Sequence, residues 1–421
     1  MKKSLLNKLK LGLAGLSLIG ASYFNAKAQE NYIPKYNTIS HEILQIEYDS
    51  LDCDSIKNSL LKNLDDIIDS SKIFIEKKEN YTKQEIAEIS MKIHSLALKK
   101  CPEIKKEKDF CYRMSLTYLA VGQENNLPFY GVMNHGLPGH MFIRFDQKKD
   151  GHNPSNSKDP INKEDINIET TTGKIQENQK GLYSDKYYID SKGLSKNSLE
   201  KTSSLTNLTK KELLSIAYLE RGRRYAEKSL EEDGKLKPSG RYSRKVVTLN
   251  KEAIKNKEKS IELNPKNITA YLSLANFWTE MPWCFNYLSE PIATYNKEEK
   301  AIEILKKSLE LDSLYPKTYE LLGKCYFRAH KYKETIKYSA KTLELIEKIE
   351  NTQREHKLSW DTYFALTNLK VECYIQREMS YRYLGDVKNA KEDSIKVREL
   401  IPTTLIDKED FFKFLLEKKG E

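Results

Sequence analysis

The sequence is poor in the residues and motifs that mark metal and cofactor sites. Seven histidines and six cysteines are spread over 421 residues, with no C-x-x-C pair and no metal-spaced histidine pair. A phosphate loop and a dinucleotide fingerprint are also missing, so no cofactor or metal is expected. Only 17 glycines and 12 prolines occur, which excludes a collagen-like or Pro/Gly-rich chain, while 39% apolar residues suffice for packed cores in two or three domains.

The apolar run near the N-terminus is too short for a membrane anchor. Residues 11–21 form an uncharged stretch of eleven, whereas a transmembrane helix needs about 20. Four lysines lie among the first ten residues, and Ala26-Lys27-Ala28 is a small-x-small cleavage site. This pattern predicts a signal peptide over residues 1–28 and export to the periplasm, the cell surface or the medium, with no stable membrane span after cleavage.

Charge of one sign is not concentrated in the chain. The formal net charge is +10, but residues 1–28 hold five lysines and no acidic residue, so the mature chain carries +5. Runs such as 251–259 mix both signs, which is typical of solvated helix faces. No nucleic-acid partner is therefore expected. The even number of cysteines permits disulfides in an oxidising compartment, for example Cys53 with Cys101.

The first domain is predicted over residues 29–200 and has an α+β pattern. Apolar residues recur at three- and four-residue spacing around 56–67, 83–99 and 111–122, which predicts helices. Short stretches rich in β-branched and aromatic residues then predict strands at 129–133, 140–145 and 166–171. Residues 174–208 are mostly polar, so we interpret them as the tail of this domain, followed by a linker at 201–212.

Residues 213–404 predict an all-α repeat array. A helix ending of the form S-[IL]-E-L recurs at Leu263 and Leu311, and Leu345 follows 34 residues after Leu311. A fourth unit ends at Leu400, so about four units are present, with insertions between them. This spacing resembles the tetratricopeptide repeat, a stack of helix pairs that most often binds a peptide or protein segment. Residues 405–421 are expected to form a C-terminal helix or tail.

One block of the first domain could carry chemistry. Cys111 opens a predicted helix, where the helix dipole favours a thiolate. His140 begins one predicted strand, and the next strand contains Asn167 and Glu169, either of which could orient the imidazole. His135, in a predicted turn, is the rival base. We interpret Cys284, Cys325 and Cys373, which lie in or beside helices of the array, as structural.

The runs C-x-x-x-S-L-T-Y-L-A, G-H-M-F-I-R-F and N-I-E-T-T-x-G resemble the transglutaminase-like superfamily of cysteine hydrolases and acyl-transferases. Over about residues 80–405 the chain is similar to bacterial proteins in which that domain precedes tetratricopeptide repeats. The resemblance implies a papain-like fold, with Cys111 as nucleophile, His140 as base and Glu169 in place of the usual aspartate. Asn167 is the alternative to Glu169. Tyr112 stands where the true transglutaminases have tryptophan.

Two functions follow from these patterns. The first is an exported cysteine hydrolase or acyl-transferase that acts on amide bonds of a peptide or protein, with the repeats binding the substrate or a partner. The second is a non-catalytic adaptor, in which a degenerate transglutaminase-like domain accompanies repeats that bind another protein. In the second case Cys111 would be an ordinary helix cysteine, and Glu169 a charge at a strand end.

Overall fold

The computed structural model describes residues 32–49, 53–106, 109–136, 139–146, 166–176, 189, 194, 196–234, 244–280, 297–352 and 360–405. The predicted signal peptide, Cys284 and the tail beyond residue 405 lie outside these ranges. The described part is mostly helical and contains a small antiparallel sheet of four strands, as the predicted α+β class requires. Within the same ranges, no helix combines the length and the apolar character needed to cross a membrane.

In the described residues, four α-helices precede the sheet, and threonine caps begin two of them. The Thr38 side chain accepts a hydrogen bond from the His41 N–H, and the His41 ring accepts one from the Thr38 N–H. Thr82 and Glu85 exchange the same two bonds, so two N–H groups are satisfied by side chains at each of these helix starts. The helices are α1 (Ile39–Tyr48), α2 (Asp54–Ser71), α3 (Lys83–Lys100) and α4 (Phe110–Asn125), with a 3₁₀ turn at Pro102–Lys106.

The strands lie in the sheet in the same order as in the chain, and each strand pairs antiparallel with the next. Its strands are β1 (Phe129–Asn134), β2 (His140–Phe145), β3 (Ile166–Glu169) and β4 (Lys174–Gln176). The prediction placed the third strand over 166–171, but β3 ends at Glu169, because the N–H groups of Thr172 and Gly173 turn back to the Glu169 carbonyl. The strand β4 was missed, since three residues are too few to show an alternating pattern.

The two faces of the sheet pack against different parts of the chain. Successive side chains of a strand point to opposite faces. Met141 and Ile143 belong to the buried core that α1 to α4 build on one side of the sheet. Phe142, which lies between them in β2, instead packs with Leu205 on the other side. The helix α4, which begins beside Cys111, therefore covers one face of a small antiparallel sheet.

The segment predicted as a linker, 201–212, lies against the sheet. The Leu205 N–H donates to the Met133 carbonyl at 2.8 Å, and the Leu208 N–H donates to the Gly131 carbonyl at 2.8 Å. Leu205 is fully buried, and its carbonyl accepts a hydrogen bond of 2.9 Å from the buried Arg144 guanidinium. This stretch therefore covers the outer edge of β1 before the next long helix begins at Lys210.

The described chain beyond the sheet forms one short helix and then eight longer ones that pack as consecutive pairs. We call the eight longer helices the helical array. The short helix is α5 (Lys196–Lys201). The array consists of α6 (Lys210–Gly234), α7 (Arg244–Leu263), α8 (Ile268–Glu280), α9 (Lys297–Leu311), α10 (Pro316–Arg328), α11 (Tyr332–Thr352), α12 (Trp360–Tyr383) and α13 (Val387–Leu405).

Small residues in the array stand where helices approach each other closely. A Cβ atom added to Gly323 in α10 would lie 2.7 Å from the Gln376 Oε1 atom and 3.0 Å from the Ser339 Oγ atom. A Cβ atom at Gly222 in α6 would lie 3.0 Å from the Ala253 carbonyl oxygen. Glycine at these two positions therefore allows the neighbouring helices to pack closely.

Candidate active site

The candidate nucleophile, Cys111, is the second residue of α4. Its carbonyl oxygen accepts hydrogen bonds from the Ser115 Oγ atom at 2.8 Å and from the Thr170 Oγ1 atom at 3.3 Å. The side chain is partly exposed, whereas the following turns of α4 are buried almost without interruption. Cys111 therefore lies at the partly exposed start of a buried helix, whose dipole favours a negative charge at this position.

The candidate base, His140, is the first residue of β2 and reaches two partners. Its Nε2 atom lies 2.7 Å from the Glu169 Oε2 atom, and its ring also hydrogen-bonds the Cys111 thiol. Because Nε2 faces Glu169, the Nδ1 atom is the one that remains for the sulfur. The ring stacks on Phe142 with the centroids 6.4 Å apart. His140 is 18% exposed, so it is shielded but still reachable from solvent.

The candidate acid, Glu169, ends β3 and is almost completely buried. One carboxylate oxygen, Oε2, faces His140, while the other, Oε1, accepts hydrogen bonds from the Thr171 N–H at 3.1 Å and the Thr171 hydroxyl at 2.6 Å. Both oxygens thus have fixed partners, and the carboxylate can hold the imidazole in one orientation. The structure brings together Cys111, His140 and Glu169 in one continuous chain of hydrogen bonds.

Asn167, the alternative to Glu169, lies two residues before it in β3. It is paired with Arg144 of β2, and its Oδ1 atom accepts a hydrogen bond from the Arg144 Nε atom at 3.1 Å. Glu169 lies opposite Phe142 and therefore reaches His140 diagonally across the strand pair. Of the two candidates for the third position, Glu169 is the one that contacts the imidazole.

His135, the rival base, is held in a different environment. Its Nε2 atom lies 3.2 Å from the Ser203 hydroxyl, and its Nδ1 atom lies 3.2 Å from the Thr269 hydroxyl in α8. The residue is only 1% exposed, and burial lowers its pKa to about 4. His135 therefore remains neutral at physiological pH and joins the β1–β2 turn to the array.

The electrostatics of the site favour a thiolate paired with an imidazolium. Burial by itself raises the pKa of Cys111, but the hydrogen bond and charge of His140, together with the Met141 N–H, bring that pKa below its ordinary value. Burial lowers the pKa of His140, whereas its bonds to Cys111 and Glu169 raise it to about 10. Burial raises the pKa of Glu169, but its bonds to His140 and Thr171 outweigh this and lower it.

A tight turn, Thr170 to Gly173, follows Glu169 and contacts the backbone of Cys111. The Thr170 hydroxyl donates to the Cys111 carbonyl, and the Thr170 carbonyl lies 3.0 Å from the His94 Nδ1 atom in α3. Gly173 has a φ of +69°, and a Cβ atom there would lie 2.6 Å from the His94 Cβ atom. The turn therefore requires glycine and fits closely against α3, which fixes Glu169 relative to Cys111.

Several residues of the site were not identified from the sequence. The Met141 N–H reaches the thiol, and Thr171 fixes Glu169, but neither role can be predicted from residue type. The two threonines that directly follow Glu169 are the signal that could have indicated hydroxyl donors at the end of β3. Tyr112, the departure from the tryptophan of transglutaminases, is buried and donates its hydroxyl to the Glu47 Oε1 atom at 2.5 Å.

The remaining described cysteines lie in environments unlike that of Cys111. Cys325 and Cys373 are completely buried thiols in array helices. Cys53 and Cys101 are also thiols, so the suggested disulfide between them is not formed. In the part of the chain that the structure describes, no group of three or more His, Cys, Asp or Glu side chains has a geometry suited to a metal ion.

Comparisons with known proteins add no assignment. No family model matches the chain, and no curated protein sequence matches it significantly. The interpretation of the site therefore depends on its own geometry, namely a cysteine at a helix start, a histidine at a strand start and a buried glutamate at the end of the adjacent strand.

Proposed function

We propose that the protein is a cysteine hydrolase or acyl-transferase that acts on amide bonds of a peptide or protein. The observation that carries this proposal is the hydrogen-bonded chain from the Cys111 thiol through His140 to the buried Glu169 carboxylate. A chain of this order activates the sulfur for attack on a carbonyl carbon. The raised pKa of His140 and the lowered pKa of Cys111 both favour a thiolate–imidazolium pair over the neutral pair.

In the proposed reaction the Cys111 thiolate attacks the carbonyl carbon of the amide and forms a tetrahedral oxyanion. Backbone N–H groups of the first turn of α4, including that of Cys111, are donors at the correct helix end for this oxyanion. The His140 imidazolium gives its proton to the departing amine, which leaves a thioester on Cys111. Neutral His140 then removes a proton from water, for hydrolysis, or from an acceptor amine, for transfer. Glu169 orients the ring throughout.

We also propose that the fold is of the transglutaminase-like, papain-like kind, followed by tetratricopeptide repeats. The packing of α4 on one face of a small antiparallel sheet supports the first assignment, and the order of the triad along the chain agrees with it. The consecutive helix pairs of the array, with Gly222 and Gly323 at closely packed positions, support the second. The array would bind the substrate or a partner protein.

Export of the protein is part of the same proposal. Its support is the pattern of residues 1–28, in which a lysine-rich start, a short apolar run and a small-x-small site follow one another. Export would bring the site into contact with extracytoplasmic peptides and proteins. A fractionation of the producing cells, with the cleaved N-terminus determined by mass spectrometry, tests it. Retention of uncleaved protein in the cytosol would contradict export.

The catalytic proposal is tested by the pH dependence of alkylation at Cys111. Iodoacetamide is reacted with the full chain between pH 5 and 10, and the Cys111 peptide is quantified by mass spectrometry. We expect rapid alkylation well below pH 8 in the wild type. In His140→Ala we expect about a hundredfold slower reaction at pH 6, because burial then raises the pKa of the thiol with no cation to oppose it.

The same experiment distinguishes the enzyme from the adaptor. A thiol that titrates at its ordinary pKa in both proteins would reject catalysis and leave the helical array as the functional part. If the thiol is activated, the protein is incubated with a mixed peptide digest and a fluorescent primary amine. Loss of peptides without label indicates hydrolysis, whereas amine incorporation that is absent in Cys111→Ala indicates transfer.

A further inference from the structure

An arginine of the helical array reaches the start of the nucleophile helix. Arg223 of α6 binds a separate carboxylate with each of its nitrogens. Its Nε atom lies 2.8 Å from Glu220, one terminal nitrogen lies 2.6 Å from Glu227, and the other lies 2.5 Å from the Oδ2 atom of Asp109. Glu220 and Glu227 are on α6 itself. Asp109, however, is the N-cap residue of α4 and lies two residues before Cys111.

Asp109 does not cap the helix that it begins. Aspartate at an N-cap ordinarily has an extended backbone and accepts hydrogen bonds from the N–H groups of the first turn. Here its φ and ψ are −99° and 29°, and its side chain makes no capping hydrogen bond. The carboxylate is turned towards Arg223 instead. The first-turn N–H groups, among them that of Cys111, are therefore not occupied by the Asp109 side chain.

The position of this carboxylate matters for the charge on the sulfur. An uncompensated negative charge two residues before Cys111 would oppose both the thiolate and a tetrahedral oxyanion, because the Coulomb repulsion acts over a short distance in a partly buried site. The Arg223 guanidinium, whose side chain is 31% exposed, contacts Asp109 directly and offsets part of its charge, since Glu220 and Glu227 share the same cation. Loss of this salt bridge would therefore increase the negative charge near the Cys111 sulfur, whereas loss of a salt bridge elsewhere on the surface would not.

We propose that Arg223 is a positioning residue for the nucleophile: it holds the Asp109 carboxylate away from the first turn of α4 and compensates its charge, so that the N–H groups of this turn serve the Cys111 thiolate and the oxyanion. The inference rests on the proposed function. It makes the first helix of the array a component of the active site, in addition to any binding of substrate or partner by the other helices.

The array offers a matched control in the same helix. Arg221 also connects α6 to the first part of the chain, through a contact of 3.4 Å between its guanidinium and the Asp49 carboxylate. Asp49 follows α1 and is not part of α4. Loss of Arg221 thus removes an ion pair between the same two regions without changing the charge at the start of the nucleophile helix.

The test compares two alkylating agents at Cys111, neutral iodoacetamide and anionic iodoacetate, in the full chain between pH 5 and 9. The ratio of their rates reports the local charge, and a general loss of structure does not reproduce a charge effect. In Arg223→Gln we expect the iodoacetate rate to fall about threefold to tenfold relative to iodoacetamide. The apparent pKa of the thiol should rise. Arg221→Gln should leave both quantities unchanged.

Two further variants keep the inference falsifiable if Arg223→Gln is poorly folded. Asp109→Asn, with Arg223 retained, should raise the ratio of iodoacetate to iodoacetamide by about twofold or more. The double variant Asp109→Asn with Arg223→Gln should restore the ratio to near the wild-type value. An unchanged ratio in the Asp109→Asn variant, or a ratio in the double variant that stays as low as in Arg223→Gln, would overturn the role of Arg223. An unactivated thiol in the wild type would instead reject the proposed function itself.

Discussion

The thiols of Cys111 and Cys325 differ in chemical character although both belong to well-packed helices. Cys111 begins α4 beside an imidazole, and its pKa lies below the ordinary value. Cys325 lies inside α10, where burial raises its pKa to about 11 despite the Thr279 hydroxyl 3.2 Å from its sulfur. Burial acts in the same direction on both thiols. The difference arises from the cationic partner and the helix start, which only the first region provides.

The two histidines that flank the β1–β2 turn also differ in pKa because their neighbours differ. His135 and His140 are five residues apart and both shielded, yet the pKa of His135 is lowered to about 4 and that of His140 is raised to about 10. Among the described residues, the side-chain partners of the His135 ring are hydroxyls, whereas those of His140 are a carboxylate and a thiol. The charge of the neighbours, more than the depth of burial, decides which histidine is protonated at neutral pH.

The largest expected effect concerns the identity of the reactive thiol. At pH 6, labelling of the native protein by a thiol-directed electrophile should occur almost entirely at Cys111, at least about a thousandfold faster than at Cys325. Cys111→Ala should abolish it, and Cys325→Ala should leave it unchanged. Mass spectrometry of the labelled peptides, with circular dichroism as a check of folding, measures this. Comparable labelling at both sites would remove the distinction drawn between them.

The next prediction concerns the pH dependence of stability at His135. Its folded pKa is lowered, so the stability that it contributes is present above the unfolded pKa of about 6.5 and is lost as the pH falls towards 4. We expect His135→Gln to be less sensitive to acid, by up to about 3 kcal/mol between pH 6.5 and 4. Urea unfolding of both proteins at each pH measures the difference. Parallel curves would show that His135 is not buried in its neutral form.

A smaller effect, on the pKa of His140, is expected from substitution of Glu169. Glu169→Gln removes the charge that helps to keep His140 protonated, so the His140 pKa should fall by about one unit or more. Glu169→Asp, shorter by one methylene, should give an intermediate value. Titration of the ring by NMR measures both. The control is Asn167→Ala, which removes a contact with Arg144 and should leave the His140 pKa in place; a shift equal to that in Glu169→Gln would reverse the assignment.

The smallest predicted effect concerns the residue that fixes Glu169. Thr171→Val removes the hydroxyl that donates to the Oε1 atom at 2.6 Å but retains the backbone N–H. We expect the imidazolium form of His140 to be disfavoured by about twofold to threefold, because one of several hydrogen bonds to the carboxylate is lost. Thr171→Ser should behave as the wild type. If valine and serine give the same titration curve, the hydroxyl has no part in orienting the acid.

The α+β class and the order of the candidate residues could be predicted from the sequence, because helix and strand periods differ and because Cys111 and His140 each stand at the start of a periodic segment. The choice between Glu169 and Asn167 could not. Both lie on the same face of β3, and only the register with β2 decides that Asn167 faces Arg144. Register depends on long-range pairing, which a local pattern does not contain.

Contacts between residues far apart in the chain could not be predicted from the sequence either. The stretch 201–212 has the polar composition of a linker, yet two of its leucines pair with β1. The bond between Arg223 and Asp109 joins residues 114 positions apart, and nothing in either local sequence distinguishes it from an ordinary surface ion pair. Such contacts are fixed by the way in which the helical array packs on the sheet, so they become visible only in three dimensions.

The pairing of Leu205 and Leu208 with β1 also affects how this molecule could be divided or recombined. The strand β1 is the outer strand of its sheet, and the segment that leads into α6 is what covers it. A fragment that ended at residue 200 would lose this cover, and Arg144 would lose the Leu205 carbonyl that it binds. The exposed edge would then be a template for pairing between copies. Genetic exchange of the part that contains the sheet, as a portable unit, would therefore require a boundary beyond residue 208.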